Sequence, residues 1–90
     1  MRAAASYLFS MPEDADQLLD SVFEEVKAEI ARAHSKYGEF KSVHEAYAVI
    51  LEETEELWET VRKKQPEKRT YEEAIQVAAA TIALITDLLH

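Results

Sequence analysis

The amino-acid sequence predicts an all-α protein, a three-helix antiparallel unit that completes a four-helix-type bundle in a homo-oligomer. Three observations favour this fold class. One glycine and two prolines among 90 residues leave little turn chemistry for a β-sheet. Three helix-start signals of the capping-box type recur along the chain. Hydrophobic residues make up 48% of the sequence, which excludes a disordered acidic chain.

The first helix is predicted over roughly residues 12–36. Ser10 precedes Glu13 by three residues, with Pro12 inside the first turn, as in a capping box. Gly38 is the only glycine of the chain, and we expect it to supply the left-handed residue that ends this helix. Between these signals, one apolar stripe recurs at helical spacing: Leu18, Leu19, Val22, Phe23, Val26, Ile30 and Ala33.

A second helix is predicted over roughly residues 43–64. Ser42 and Glu45 form the next capping box. Pro66 interrupts the helical pattern, so the basic segment 63–69 is predicted to be a connecting loop. The apolar side chains of this helix are spaced as a core-facing stripe: Val43, Tyr47, Ile50, Leu51, Leu57, Trp58 and Val61.

The third helix is predicted over about residues 71–89, opened by a capping box of Thr70 and Glu73. Ten of the twelve residues from 74 to 85 are apolar, and a helix that is apolar nearly all round has to be covered on all sides. Because so short a chain has few elements to cover it, we expect a homodimer or homotetramer. The alternative is that residues 1–11, an N-terminal arm, fold over this helix. Asp87, near its end, is expected to be exposed.

Composition limits the class of function for this single domain of residues 1–90. Ten Lys and Arg against 18 Asp and Glu give a net charge of −8, which argues against a nucleic-acid groove. The absence of cysteine excludes disulfides, thiolate metal sites and cysteine nucleophiles. No segment is typical of a targeting signal or of a membrane span, so no membrane partner is expected and the cytoplasm is the expected location.

Carboxylates on two successive predicted helices form a pattern with chemical meaning. Glu53 and Glu56 lie one turn apart at the edge of the apolar stripe of the second helix. On the third helix, Glu72 and Glu73 precede Gln76 by four and three residues. Since such positions share a helix face, two adjacent helices can bring four oxygen-bearing side chains to one point, the ligand set that Mg²⁺ prefers. A solvated acidic helix face is the alternative interpretation.

These motifs resemble those of the MazG-like all-α nucleoside triphosphate pyrophosphohydrolases, a superfamily that includes dimeric dUTPases and phosphoribosyl-ATP pyrophosphohydrolase. The family signature is EExxE on one helix and ExxD on the next. Glu52-Glu53-Thr54-Glu55-Glu56 matches the first motif, and Glu72-Glu73-Ala74-Ile75-Gln76-Val77 matches the second, except that Gln76 replaces Asp. The resemblance covers about residues 18–89. It also includes the segments Lys36-Tyr37-Gly38 and Val43-His44-Glu45.

The resemblance implies hydrolysis of a (deoxy)nucleoside triphosphate between its α and β phosphates, with Mg²⁺, or alternatively Mn²⁺, as the cofactor. It implies that the metal is bound by Glu53, Glu56 and Glu73, with Gln76 at the fourth ligand position. Glu52 is the implied catalytic residue, which supports the cluster or orients water. An acidic site needs divalent cations to bridge it to a triphosphate. The candidates for phosphate contacts are cationic residues near the connecting loop: Lys63, Lys64, Lys68 and Arg69.

Two alternative functions stay open from the sequence. One is the phosphoribosyl-ATP reaction, for which the same pair of motifs serves. The other is a non-catalytic helical oligomerisation or nucleotide-sensing module with a degenerate metal site, an interpretation favoured by Gln76 in place of Asp. Magnesium should stabilise a protein that has a metal site and leave a pure scaffold unchanged.

Overall fold

The computed structural model describes residues 14–90, and within them the chain is helical, with no β-strand. The three helices are α1 (Asp14–Tyr37), α2 (Val43–Arg62) and α3 (Glu67–Leu88). The predicted all-α class and the number of helices are therefore confirmed. The expected N-terminal arm, the capping box at Ser10 and the expected helix start near residue 12 lie outside the described residues.

Helix α3 lies at the centre of the fold. Both α1 and α2 pack against α3, whereas α1 and α2 do not pack against each other in the described part of the chain. The surface that α3 buries is made of small side chains, Ala79, Ala80 and Ala83. Because helix axes approach according to the size of the side chains at the contact, this surface lets both neighbours lie close to α3.

Contacts between the helices give their directions. Thr70, near the start of α3, donates from its Oγ1 to Thr60 Oγ1, near the end of α2, at 3.0 Å. Helix α2 therefore runs antiparallel to α3. Helix α1 runs in the same direction as α3, because the Tyr71 hydroxyl donates to Glu25 in the middle of α1 and Asp87 lies 3.0 Å from His34 at its end. A cleft opens between α1 and α2, with α3 as its floor.

The connection between α1 and α2 follows the sequence prediction. Gly38 ends α1 with a φ of 80°, and its N–H donates to the His34 carbonyl at 2.8 Å. A residue with a Cβ would be strained at this φ. Ser42 caps α2, since its Oγ accepts from the Glu45 N–H at 3.1 Å. The Glu45 carboxylate in turn accepts from the Lys41 N–H at 2.6 Å, one residue earlier than in the standard capping box.

Helix α3 begins at Glu67, about one turn before its expected start, so the prediction of a start at residue 71 is wrong. Pro66 occupies the N-cap position and makes no side-chain capping bond. Proline suits a helix start because the first turn leaves its N–H groups without helical partners in any case. Thr70 lies inside the helix and its hydroxyl binds Thr60, so the expected third capping box does not form.

The connecting loop is correspondingly shorter than the predicted basic segment 63–69. Helix α2 ends at Arg62, Lys63 is its C-cap, and α3 starts after Pro66. Lys68 and Arg69 are therefore helical residues. Their position on the first turns of α3 determines which of them can reach the acidic residues farther along this helix.

The predicted core stripe of α2 is only partly covered within residues 14–90. Ile50 and Leu57 are half-buried, whereas the other five residues of the stripe are exposed, Tyr47 by 62%. The fully buried residues of α2 are small, Ala46 and Thr60, at 0% and 2% exposed. Helix α2 therefore turns its small residues towards α3 and leaves most of its large apolar stripe on the outside. Across residues 14–90, no helix is both long enough and apolar enough to cross a membrane.

Candidate metal centre

Three glutamates from two helices meet at one point of the fold. Glu53 and Glu56 lie one turn apart on α2, and Glu73 lies on α3. Each offers a carboxylate oxygen, and the three oxygens lie within 4.8 Å of one another. We call these residues the acidic centre. The antiparallel packing of α2 on α3 brings them together, with the Thr60–Thr70 hydrogen bond holding the adjoining ends of the two helices.

Glu73 is the buried member of the acidic centre, only 9% exposed. Its Oε1 accepts a hydrogen bond from Arg69 at 3.2 Å, whereas its buried Oε2 has no partner among the described residues. Burial raises the pKa of Glu73, and the charge of Glu56 raises it further, against the opposing effect of Arg69. An unpaired buried carboxylate oxygen is costly, and a bound cation would satisfy it.

Glu53 has the most strongly shifted pKa of the acidic centre. Burial and the charges of Glu56, Glu73 and Glu52 raise the pKa of Glu53 to about 7. Like charges this close disfavour full ionisation of all three carboxylates in the free protein. A divalent cation removes that penalty, so the arrangement is suited to binding one.

Gln76 lies beside the acidic centre, half-buried on α3 and one turn after Glu73. It lines the open pocket that the acidic centre forms, which we call the acidic pocket. The pKa of Glu29 on α1 is lowered mainly by a hydrogen bond from Arg32, and the nearby side chain of Gln76 lowers it further against the effect of burial. Because the amide nitrogen of Gln76 is the group that favours a carboxylate, its carbonyl oxygen stays available as a ligand.

The remaining predicted site residues lie at different distances from this centre. Glu52 is exposed and lines the cleft beside Glu53. Arg69 lines the acidic pocket, with hydrogen bonds of 3.0 Å to Glu72 and 3.2 Å to Glu73. The other candidates for phosphate contacts line neither cavity, and their assignment stays a prediction: Lys63, Lys64 and Lys68.

The cleft between α1 and α2 adjoins the acidic centre. It has a volume of about 430 Å³, which is within the range of small-molecule sites. Glu53 and Gln76 line both the cleft and the acidic pocket, so the two cavities lie side by side. The alanines of α3 form the cleft floor, and Tyr37 and Phe40 stand at one end of it. The cleft has an apolar floor and the acidic pocket beside it is charged, so a ligand with an apolar ring and a charged end fits the two cavities together.

Asp87 closes the end of the cleft that lies away from the acidic centre. Its side chain is only 4% exposed, so the expectation of an exposed residue is wrong. Its Oδ2 accepts from the Phe40 N–H at 3.1 Å and lies 3.0 Å from His34 Nε2. Burial favours a higher pKa for Asp87, but these hydrogen bonds outweigh it and lower the pKa. Asp87 thereby ties the connection between α1 and α2 to the end of α3.

The sequence interpretation missed two charged residues that α1 contributes to these cavities, Glu29 and Arg32. A signal was present for Glu29. It follows Val26 by three residues and precedes Ala33 by four, so it lies on the apolar stripe of α1. A charged residue at such a position needs a partner, and Arg32 supplies it one turn later. Asp87 carried no comparable signal, because its partners come from residues about fifty positions earlier.

Comparison with known proteins assigns the chain to no family. No protein-family model matches it. No curated protein and no solved structure matches it either. The chemical interpretation of the site therefore depends on its own residues and geometry, and the resemblance to the MazG-like superfamily stays a prediction.

Proposed function

We propose that this protein is a Mg²⁺-dependent (deoxy)nucleoside triphosphate pyrophosphohydrolase, which releases a nucleoside monophosphate and pyrophosphate. The observation that carries the proposal is the acidic centre, with three carboxylate oxygens within 4.8 Å and one buried oxygen of Glu73 unpaired. Such a cluster is unfavourable without a cation, which supports metal binding. The order of the two motifs along the chain supports the particular reaction.

In this proposal Glu53, Glu56 and Glu73 hold Mg²⁺, with Mn²⁺ as an alternative, and the carbonyl oxygen of Gln76 is the fourth ligand. When bound, the metal supplies charge neutralisation for the incoming triphosphate. Glu52, at the border of the cleft, is the proposed general base and accepts a proton from the attacking water. The water oxygen bonds to one phosphorus as the bridging bond between the α and β phosphates breaks, and pyrophosphate leaves.

The cleft supports a nucleotide as the substrate. Its alanine floor and the nearby rings of Tyr37 and Phe40 suit a base and sugar, while the adjoining acidic pocket offers the phosphates a position near the metal ligands. Arg69 lines that pocket and is a candidate for neutralising phosphate charge. A cytoplasmic location, where nucleoside triphosphates are abundant, belongs to the same proposal.

The test is pyrophosphate release from a panel of canonical and modified nucleoside triphosphates in the presence of magnesium. We expect the wild-type protein to release pyrophosphate and Glu53→Gln to release none. The matched control is Glu55→Gln, which changes an exposed glutamate of the same helix that lines neither cavity, and it should retain activity. Full activity of Glu53→Gln, with helix content intact, would move the chemistry elsewhere. Including phosphoribosyl-ATP in the panel tests that alternative substrate.

We further propose that the protein works as a homodimer or homotetramer. Five large apolar residues of α2 are exposed, and their spacings of three, four and seven positions place them in one stripe along the helix: Val43, Tyr47, Leu51, Trp58 and Val61. We call this set the α2 stripe. Spacing of this kind fits a facing helix in the manner of a helix-bundle seam, and a second copy of the chain provides such a helix.

The α2 stripe also favours a second candidate function, a non-catalytic oligomerisation module. The two functions differ in their response to ligands. A module without a working site should form the same oligomer but release no pyrophosphate and gain no stability from magnesium. The acidic centre favours the enzyme, because assembly through the α2 stripe does not require three converging carboxylates.

A further inference from the structure

Arg32 faces the acidic pocket from α1, the helix that contributes no carboxylate to the acidic centre. It lines both the acidic pocket and the cleft. Its Nε lies 3.1 Å from both carboxylate oxygens of Glu29, and its Nη2 also contacts that carboxylate. Within residues 14–90, Arg32 and Arg69 are the two cationic side chains that line the acidic pocket, one from each side.

We propose that Arg32 is a phosphate-contacting residue, whose guanidinium exchanges the Glu29 carboxylate for phosphate oxygens of a metal-bound polyphosphate opposite Arg69. This inference rests on the proposed function, since it takes the acidic centre as the metal site. A guanidinium binds phosphate in the same two-point geometry as a carboxylate, so the exchange needs little rearrangement. The Arg32 side chain is 54% exposed and therefore has room to turn.

The surroundings of Glu29 make this exchange feasible. Its side chain is 15% exposed, so water reaches the carboxylate, and Gln76 lies near enough to lower its pKa as well. The carboxylate therefore keeps a polar neighbour when Arg32 leaves it. Arg69, by contrast, is bound to Glu72 and Glu73 beside the metal ligands. Arg32 is thus the cation whose partner lies outside the acidic centre, and it can leave without uncovering a metal ligand.

The chain contains a matched control for Arg32. Arg62 on α2 forms the same kind of ion pair, with Glu59 three residues earlier, and its side chain is 51% exposed. It lines neither the cleft nor the acidic pocket. The two guanidiniums are similarly exposed, but Glu59 is 40% exposed and Glu29 only 15%. An ion pair with an exposed guanidinium contributes little to stability, so Arg32→Gln and Arg62→Gln should both fold. They differ in their position relative to the acidic pocket.

The experiment is isothermal titration calorimetry with two probes, Mg²⁺ alone and inorganic tripolyphosphate in the presence of Mg²⁺. We expect Arg32→Gln to bind Mg²⁺ at least as tightly as the wild type, because a nearby positive charge is removed. It should bind tripolyphosphate about tenfold more weakly or worse, as for a lost charge-assisted hydrogen bond. The tripolyphosphate affinity of Arg32→Lys should lie between those of Arg32→Gln and the wild type. Arg62→Gln should bind both probes as tightly as the wild type.

Each other outcome is decisive. Tripolyphosphate affinity that is unchanged in Arg32→Gln, or lowered equally in Arg62→Gln, overturns the role of Arg32. A wild-type protein that binds Mg²⁺ but no tripolyphosphate also overturns it and leaves the metal site standing. If the wild type binds tripolyphosphate but no Mg²⁺, the metal site falls, and the same variants compared without metal decide the role of Arg32. Binding of neither probe overturns both proposals.

Discussion

Arg69 donates a hydrogen bond to one carboxylate oxygen of Glu73, one turn farther along α3, and the other oxygen is buried without a partner among residues 14–90. Only one of the two carboxylate oxygens is therefore paired. Arg69 holds the carboxylate in place, while the second oxygen is available to a ligand. Together with Glu53 and Glu56, this oxygen makes the case for a cation, and it has consequences that can be measured.

Magnesium should raise the thermal stability of the wild-type protein. A cation that binds the folded chain alone contributes about 2.7 kcal/mol at a concentration of about 100 times its Kd. For a domain of this size, that corresponds to a rise in Tm of about 10 °C or more. Differential scanning calorimetry across a magnesium series measures it. Glu53→Gln should lose the response and Glu55→Gln should keep it; an equal response in both variants would place the metal elsewhere.

The stability of the metal-free protein should fall as the pH rises. The pKa of Glu53 is raised from 4.5 to about 7 in the folded chain, so the folded state binds this proton more tightly than the unfolded state. The free energy of unfolding therefore decreases between about pH 4.5 and about pH 7. Urea denaturation across this range measures the decrease. Glu53→Gln should flatten the curve, and a curve that keeps the wild-type slope in this variant would contradict the assignment.

Gln76→Asp should lower the magnesium concentration that the protein requires. The substitution adds a negative charge beside the acidic centre and removes the amide that lowers the pKa of Glu29. Metal-free protein should thus melt earlier, and magnesium should restore more stability than in the wild type. Thr81→Asp, at an exposed position of α3, controls for the added charge. Equal destabilisation with and without magnesium would falsify the ligand role of position 76.

Asp87→Ala should destabilise the fold by about 1–3 kcal/mol, because it removes the acceptor for two groups at the end of the cleft. The Phe40 N–H and His34 would both lose the hydrogen-bond partner that they share. Asp87→Asn keeps one oxygen and should recover part of the loss. Urea denaturation measures both, with Asp20→Asn as the control on an exposed aspartate of α1. A loss no greater than that of the control would mean that Asp87 does not hold this connection.

The wild-type protein should scatter light as a multiple of 10.3 kDa, the mass of one chain. Leu51→Glu places a charge in the middle of the α2 stripe and should shift the protein to a monomer, because burying an unpaired charge between helices is strongly unfavourable. Ala48→Glu makes the same kind of change at an exposed site of α2 outside the stripe and should leave the oligomer intact. A folded wild-type monomer at all concentrations would refute the assembly.

The sequence was most informative where the chemistry is local. Ser42 and Gly38 act within four residues of themselves, and both do what their positions predict. Thr70 does not cap the helix that the sequence predicts it to start. Its hydroxyl could bind either the backbone of its own helix or a side chain of the neighbouring helix, and it binds the Thr60 side chain. Pro66 then starts the helix instead, a role for which its fixed φ suits it.

The acidic centre could be anticipated because glutamates three residues apart on one helix face the same side, and two such helices in succession pack together. The rest of the site depends on how α1 lies on α3, which periodicity does not determine. Only that packing brings Arg32 to the acidic pocket and Asp87 to His34. The large residues of α2 show the same limit, since an apolar stripe indicates burial but does not say whether the covering surface belongs to the same chain.

Within residues 14–90, α1 packs on α3 and not on α2, so these residues form an α2–α3 hairpin with α1 laid along α3. The residues of the acidic centre all belong to the hairpin. A local opening of α1 would therefore leave the three carboxylates in place and carry Arg32 away from them. In the proposed mechanism, the metal ligands and the phosphate-contacting Arg32 thus belong to separate cooperative units of the fold, so we expect metal affinity to depend on the hairpin alone and phosphate affinity to depend on both units.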